Sequence, residues 1–372
     1  MEFNDSGNDK SVCIIGAGMS GLVSGMRLAK AGFKVSVVEE LTSAGGLLSC
    51  TRIGREYLEL VPHHLRKSDK ALLSLAKEMG VDDKIKWYDS AWSGRASIRK
   101  VGYFDGGYSC LISSLIQYIT DHGGHVIFST TVAEITSLRG GSILPGYRTT
   151  CILTNSTRYV IDSKYVIFTG SCRTFLNVSH SLDIPMDYRD IMMNISYKAG
   201  ITALMVLKKP SSEMYSRKVP EGLPFDRIIG HSAVFGQRGY GGHVVYLTGQ
   251  CSITDSIWIA SDSDIFNKYF SAFRKLYPSI RKTDIKSYRL TKTRYAFAEK
   301  YPEIDLTNPC KDLYVCASGL TISQAQAETC VPKNRLDSVI RLAGRITTEI
   351  IKSEASHEGI TRTDITDLAE YV

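Results

Sequence analysis

The stretch that decides the fold is VCIIGAGMSGLVSGMRLAKAGFKVSVVEE, residues 12–40. It begins with a short apolar run typical of a buried strand, and this run ends in a turn of pattern G-x-G-x-x-G formed by Gly16, Gly18 and Gly21. These glycines permit a tight turn, the close approach of a pyrophosphate and close packing of the following helix. A second strand then delivers Glu39, 23 positions past Gly16, where a carboxylate binds a ribose hydroxyl pair. The stretch predicts a dinucleotide site with phosphates at the helix N-terminus.

A glycine turn of this kind that holds no ligand is the alternative, since turns of the doubly wound fold can be empty. The glycine pattern alone is weak support for a site. The complete series of strand, turn, helix, strand and acid favours a bound dinucleotide.

The residues after Glu39 separate flavin from nicotinamide. They read LTSAGGLLS over 41–49 and contain the pair Gly45 and Gly46. Here the chain resembles the FAD-dependent oxidoreductases that include amine oxidases, protoporphyrinogen oxidase, phytoene-type desaturases and UDP-galactopyranose mutase. In that family a Gly-Gly pair after the strand-end acid passes close to the diphosphate and the flavin. The resemblance implies an FAD site with these residues: Gly16, Gly18, Ser20, Gly21, Glu39, Gly45, Gly46, Val132 and Gly319.

The resemblance extends along the chain with gaps. The family is matched by an aromatic-x-G-G turn before residue 108, by the helix after it and by a strand pair that carries Val132. In the family the backbone at the position of Val132 contacts the adenine. The alternative is that Val132 belongs to an ordinary strand. A late strand ending at Gly319 matches the motif beside the flavin. Leu47 and Leu320 replace the family's usual basic and acidic residues, and the segment before Gly102 is short where relatives carry a substrate cap.

The predicted fold class is α/β: a Rossmann-type FAD-binding domain with a parallel sheet, plus an α+β substrate domain built on an antiparallel sheet. The expected segments are the first and middle parts of the FAD-binding domain, the substrate domain, a return segment and a tail, at 10–92, 93–170, 171–305, 306–355 and 356–372.

Catalytic residues cannot be assigned from spacing, because no Ser/His/Asp order, metal cluster or phosphate-transfer lysine loop is evident. Polar and aromatic residues that face the substrate cavity are sought among His63, His64, Tyr246, Arg294 and Tyr295, together with Tyr197 and His231. The alternative is structural, because such residues are more often part of the core or of local hydrogen bonding.

Composition excludes several classes of function. The net charge is +7, but the basic residues are scattered and form no stripe with interleaved aromatics, which argues against nucleic-acid binding and only mildly favours an anionic substrate. The nine cysteines stand singly, as expected in a reducing compartment, and suggest no metal site. No apolar stretch is long enough to span a bilayer, and residues 1–10 lack a signal pattern. A cytoplasmic protein is expected.

The predicted function is that of an FAD-dependent oxidoreductase that transfers a hydride from an amine or a carbon–carbon or carbon–oxygen bond to flavin. No second G-x-G-x-x-G appears, so no separate NAD(P)H domain is expected. The expected partners are a small-molecule substrate and, over the open substrate side, a protein partner or a second copy. Two alternatives remain: a non-redox flavin enzyme of the sugar-nucleotide mutase type, or a degenerate flavin-fold binding protein.

Overall fold

The computed structural model describes residues 10–90, 99–138, 146–211, 215–299, 304–317, 320 and 335–357. The chain divides into two compact units, each built from separated segments. The first unit contains Met1–Gly46, Leu111–Ile195 and Lys300–Val372, and the second contains Leu47–Cys110 and Ser196–Glu299.

The described strands, in chain order, are β1 Ser11–Ile15, β2 Lys34–Val38, β3 Cys50–Ile53, β4 Glu56–Glu59, β5 Ile85–Ser90, β6 Arg99–Phe104, β7 His125–Ile127, β8 Thr130–Ser137, β9 Tyr147–Leu153, β10 Arg158–Ser163, β11 Tyr165–Phe168, β12 Tyr197–Leu207, β13 Ser216–Lys218, β14 Arg227–Ile229, β15 His243–Cys251, β16 Ile285–Ala298 and β17 Leu313–Val315. The described α-helices are α1 Met19–Lys30, α2 Lys70–Glu78, α3 Ser109–Asp121, α4 Cys172–Val178, α5 Met186–Met193, α6 His231–Phe235, α7 Ser256–Ile259, α8 Asp262–Leu276 and α9 Arg335–His357.

A parallel five-stranded sheet organises the first unit, in the order β17-β11-β1-β2-β7. The central strand β1 is buried along its apolar residues, as parallel strands covered on both faces require. Helix α1 packs against α9, and Gly32, at φ +80°, ends α1 by turning the chain into β2. A second, antiparallel sheet has the order β10-β9-β8.

An antiparallel five-stranded sheet, in the order β13-β14-β15-β12-β16, organises the second unit. Residues of β12 alternate between two apolar cores, since Ala203 and Met205 face α8 whereas Leu204 and Val206 face the hairpins β3–β4 and β5–β6. Ser261 caps α8 by accepting a hydrogen bond from the backbone N–H of Asp264. Strand β12 is thus buried on both faces.

The predicted fold class is confirmed by the parallel sheet of one unit and the antiparallel sheet of the other. The features that were not predicted include the hairpin β5–β6, the short helices α4 and α5, and the 14-residue edge strand β16. The predicted domain boundaries stay predictions. Within the part of the chain that the structure describes, no helix is long and apolar enough to cross a membrane.

Candidate cofactor site

Two glycines of the loop between β1 and α1 are required by the protein's own packing. Gly16 has a φ of +105°, and a Cβ atom there would lie 2.4 Å from the Oγ1 of Thr169. That hydroxyl donates to the carbonyl of Ile15 at 2.8 Å and so is held in place. At Gly21 a Cβ would lie 1.9 Å from the carbonyl oxygen of Gly16. Neither position accepts a side chain without moving the backbone.

Gly18 is different, because no contact with the described residues requires it to be glycine. Its φ of −73° and ψ of −179° suit any residue, and a Cβ there would only touch the Cα of Gly46 at 3.9 Å. It is the N-cap of α1, with no side-chain cap and no acidic residue in the first turn. Among the described residues only Gly46 comes within 4 Å of that Cβ position, and a pyrophosphate binds to free N–H groups at a helix N-terminus, so the loop fits a dinucleotide.

Glu39 lies beside the same loop at the end of β2 and is buried. Its Oε2 accepts a hydrogen bond from the N–H of Ala17 at 2.7 Å, and its Oε1 accepts one from Leu41 at 3.0 Å. Two backbone donors therefore fix the carboxylate. Because its two oxygens provide about four acceptor positions, capacity remains for ribose hydroxyls.

The predicted Gly-Gly pair is held against the first glycine loop. The N–H of Gly45 donates to the carbonyl of Ala17 at 2.9 Å, and Gly45 forms a parallel bridge with Gly18. Gly45 and Gly46 have φ values of +122° and +56°. A Cβ on Gly46 would approach the Cα of Gly18 to 3.2 Å, so this contact favours glycine at position 46.

The remaining predicted cofactor residues differ in how the structure places them. Ser20 is buried in the first turn of α1. Val132 is half-buried on β8 beside a register irregularity, and β8 begins at Thr130, whose N–H donates to the carbonyl of Glu39 at 2.9 Å. Gly319 lies outside the described residues. The cofactor contacts of all these residues stay predictions.

A hydrogen-bonded chain of four side chains, the histidine–tyrosine relay, crosses the core of the second unit. Nδ1 of His64 is 2.8 Å from the hydroxyl of Tyr215, and its Nε2 is 3.0 Å from Nδ1 of His231. Nε2 of His231 is 3.0 Å from the hydroxyl of Tyr240. Burial lowers the pKa of His64 to about 3 and that of His231 well below its usual range. Both imidazoles are therefore neutral near pH 7, and each ring then has one donor and one acceptor for its two hydrogen bonds.

Glu59 is a second buried polar centre of this unit that the sequence analysis missed. Its Oε2 accepts from the hydroxyl of Tyr103 at 2.7 Å, and its Oε1 accepts from the N–H of Tyr108 at 2.7 Å. Burial raises the pKa of the carboxyl to about 7, although both hydrogen bonds oppose the shift. The available signal was an acid between two leucines in the strand sequence EYLEL.

The structure brings some of the predicted cavity residues together and not others. His64 belongs to the relay, and the hydroxyl of Tyr246 donates to the carbonyl of Glu59 at 2.9 Å in the same core. His63 binds the carbonyl of Val61 through Nδ1 at 2.9 Å. Arg294 and Tyr295 form a separate group on β16: the guanidinium carbon lies 5.6 Å from the Tyr295 ring, which packs edge-on against Tyr197. None of these positions is tested as a catalytic residue.

The parallel sheet, the glycine loop and the strand-end acid define a dinucleotide-binding fold of the Rossmann type. In agreement, residues 14–79 match the family model of an NAD(P)-binding Rossmann-like domain. Residues 94–309, more than half of the chain, match the model described as flavin containing amine oxidoreductase. The protein belongs to the flavin-containing amine oxidoreductase family, which confirms the resemblance seen in the sequence and agrees with FAD as the cofactor.

Curated relatives match a limited part of the chain. L-amino acid oxidase Lm29 of Lachesis muta is 35% identical over 97 residues, which are 25% of this chain and 19% of that protein. The L-amino-acid oxidase of Vipera ammodytes ammodytes is 34% identical over 97 residues, which are 25% of this chain and 20% of the relative. The chain thus covers about a fifth of the length of these relatives.

Solved structures match nearly the whole fold. A protein of Exiguobacterium sp. 255-15, provisionally assigned as a protoporphyrinogen oxidase, superposes with a TM-score of 0.75 at 10% identity, covering 93% of this chain and 99% of that one. Putrescine oxidase bound to putrescine superposes with a TM-score of 0.68 at 13% identity, covering 92% of this chain and 99% of that one. At such identities the likeness establishes the fold alone.

Proposed function

We propose that the protein is an FAD-dependent oxidoreductase that takes a hydride from a small organic molecule. The observation that carries this proposal is Gly18, which no contact with a described residue requires to be glycine and which lies at a helix N-terminus without a side-chain cap. In a chain of the flavin-containing amine oxidoreductase family, a bound dinucleotide supplies the missing reason.

The chain's own residues account for binding and orientation of the cofactor. The first turn of α1 directs N–H groups at the diphosphate, and Glu39 accepts from the ribose hydroxyls while its backbone donors hold it in place. Gly45 and Gly46 leave room for the cofactor to pass. When bound, the flavin supplies the electron acceptor of the reaction. The catalytic residues are sought among His63, His64, Tyr246, Arg294 and Tyr295.

The proposed substrate class is an amine-bearing small molecule, ahead of substrates oxidised at a carbon–carbon or carbon–oxygen bond. The family description and the names of the L-amino-acid oxidases and of putrescine oxidase favour this order. The net charge of +7 mildly favours a substrate that also carries an anionic group. The comparisons give no support to the mutase-like or degenerate alternatives.

We place the protein in the cytoplasm, where its single cysteines would stay reduced. Four of them, Cys13, Cys151, Cys172 and Cys316, are buried as small core residues, which is the use expected of cysteine in a reducing compartment. A protein partner or a second copy that covers the substrate side stays a proposal.

The test is anaerobic mixing of the flavin-loaded protein with a panel of amino acids, diamines and polyamines. Bleaching of the visible flavin bands by an amine, followed by recovery in air with hydrogen peroxide formation, is the expected result. A flavin that dithionite reduces but no panel member bleaches would contradict the amine assignment and leave flavin binding intact.

A further inference from the structure

A cleft of about 220 Å³ opens in the second unit between the edge strand β16 and the hairpin β3–β4. Its lining includes the apolar residues Ile53 and Val206 and the polar side chains of Arg52, Lys286, Ser287 and Arg289. Ser287 and Arg289 pair with Val206 and Leu204 of β12, whose side chains pack towards the hairpin. The cleft therefore lies on the hairpin face of the sheet, and all its described lining residues belong to one unit.

The charge of this cleft has one sign. Three of its lining side chains are cationic, and none of the described lining residues is acidic. Nε of Arg52 donates to the carbonyl of Gly54 at 3.3 Å, and Nζ of Lys286 donates to that of Gly241. Neither contact neutralises a charge, and no ion pair among the described residues includes Arg52, Lys286 or Arg289. Like charges in one concave site raise the local potential and favour an anion.

The chemistry of the lining side chains is suited to an oxyanion. Two guanidinium groups present planar pairs of donors that match carboxylate or phosphate oxygens, and an ammonium group adds a point charge. The Ser287 hydroxyl adds a neutral donor.

The size of the cleft limits the ligand. About 220 Å³ corresponds to the space of about seven water molecules. That is below the range of about 300–1,000 Å³ typical of drug-sized ligands. A single phosphate group or a small dicarboxylate fits this volume.

We propose that this cleft is a binding site for a small oxyanion, a phosphate or carboxylate group held by Arg52, Lys286 and Arg289. The site is independent of the proposed oxidase function, because no residue of the predicted FAD site lines it. Its occupant is a metabolite-sized anion or the anionic end of a slightly larger molecule.

The test is calorimetric titration of the purified full chain, at low ionic strength, with inorganic phosphate and separately with succinate. We expect saturable binding of one equivalent, and the probe that binds identifies phosphate or carboxylate as the recognised group. Arg289→Gln should weaken that binding about tenfold, because one charge-assisted hydrogen-bond partner is lost. Arg289 is exposed, so unfolding of this variant is not expected, and an unchanged melting temperature checks that it folds.

The matched control is Arg274→Gln on α8, which removes the same charge from an exposed position on the opposite face of the sheet. This control variant should bind the probe with an affinity within about twofold of the wild type, since general electrostatic attraction contributes little to a specific site. Equal weakening in both variants would overturn the proposal in favour of a non-specific positive surface. If neither phosphate nor succinate binds, the proposal is also overturned. The cationic side chains would then only protect the sheet edge from pairing.

Discussion

The glycines of the loop between β1 and α1 are glycine for different physical reasons. A Cβ on Gly21 would collide with the backbone, whereas one on Gly18 would make ordinary contact. We expect Gly18→Ala to fold, with a melting temperature lowered by at most a few degrees, and to lose bound flavin because the methyl group occupies the diphosphate's approach. Gly21→Ala should instead be strongly destabilised. Flavin content by absorbance and thermal unfolding separate the two effects, and a full flavin content in Gly18→Ala would contradict the site.

A second prediction at the scale of one residue concerns Glu39. Glu39→Ala should weaken FAD binding by about 1–3 kcal/mol, the usual loss for a hydrogen bond to a charged group. Glu40→Ala is the matched control, because its neighbouring carboxylate is exposed. Fluorescence titration of the apoprotein with FAD measures both. If the two variants bind FAD equally, Glu39 serves only to hold the backbone of Ala17 and Leu41.

Whether a site residue could be predicted from the sequence depended on how far apart the residue and its partners lie in the chain. The glycine loop and Glu39 were predicted because their spacing over 24 residues carries the pattern. Glu59 was missed because its partners Tyr103 and Tyr108 are 44 and 49 positions away. Nothing local distinguishes a buried acid from one on the exposed face of a strand.

At the scale of an element, Glu59 at the end of β4 makes the free energy of unfolding depend on pH. The carboxyl of Glu59 has a pKa of about 7 in the folded protein, above the ordinary value of 4.5. Between these values the folded state binds the proton more tightly, so the free energy of unfolding falls as pH rises and is constant above the folded pKa. Because burial raises the pKa from 4.5 to about 7, roughly 3 kcal/mol of stability is present at low pH and is lost as the pH rises through about 7.

Glu59→Gln isolates this contribution. The glutamine amide can accept from the N–H of Tyr108 and donate to the hydroxyl of Tyr103, which is able to accept. We expect the variant to lose most of the decline in stability between pH 5 and pH 8 and to be more stable than the wild type at pH 8. Urea unfolding at several pH values measures this, and an identical slope in both proteins would show that other groups cause the decline.

Among the elements, those with local signals were predicted and those fixed by distant pairing were not. Strand β1 and helix α1 follow directly from the apolar run and the glycine turn. Strand β16 was missed because it is an edge strand whose exposed and basic residues hide the apolar alternation. Its partner β12 is far away in the sequence, so pairing determines its conformation.

At the scale of the whole molecule, the two units are each assembled from segments that are distant in sequence. The parallel sheet takes β17 from the late part of the chain and pairs it with β11. The return of the chain to the first unit was expected only through the family resemblance, since composition changes little there. Topology of this kind is determined by contacts between distant segments. The spacing of residues within one segment does not predict such contacts.

The central claim is that this chain binds FAD at the loop before α1 and that the bound flavin is redox-active. The most direct measurement is the visible absorption spectrum of the purified protein, before and after anaerobic dithionite and then air. We predict the two bands of oxidised flavin, their loss on reduction and their return in air, with no such bands in folded Gly18→Ala. A wild-type protein that is colourless and does not take up added FAD would contradict the claim.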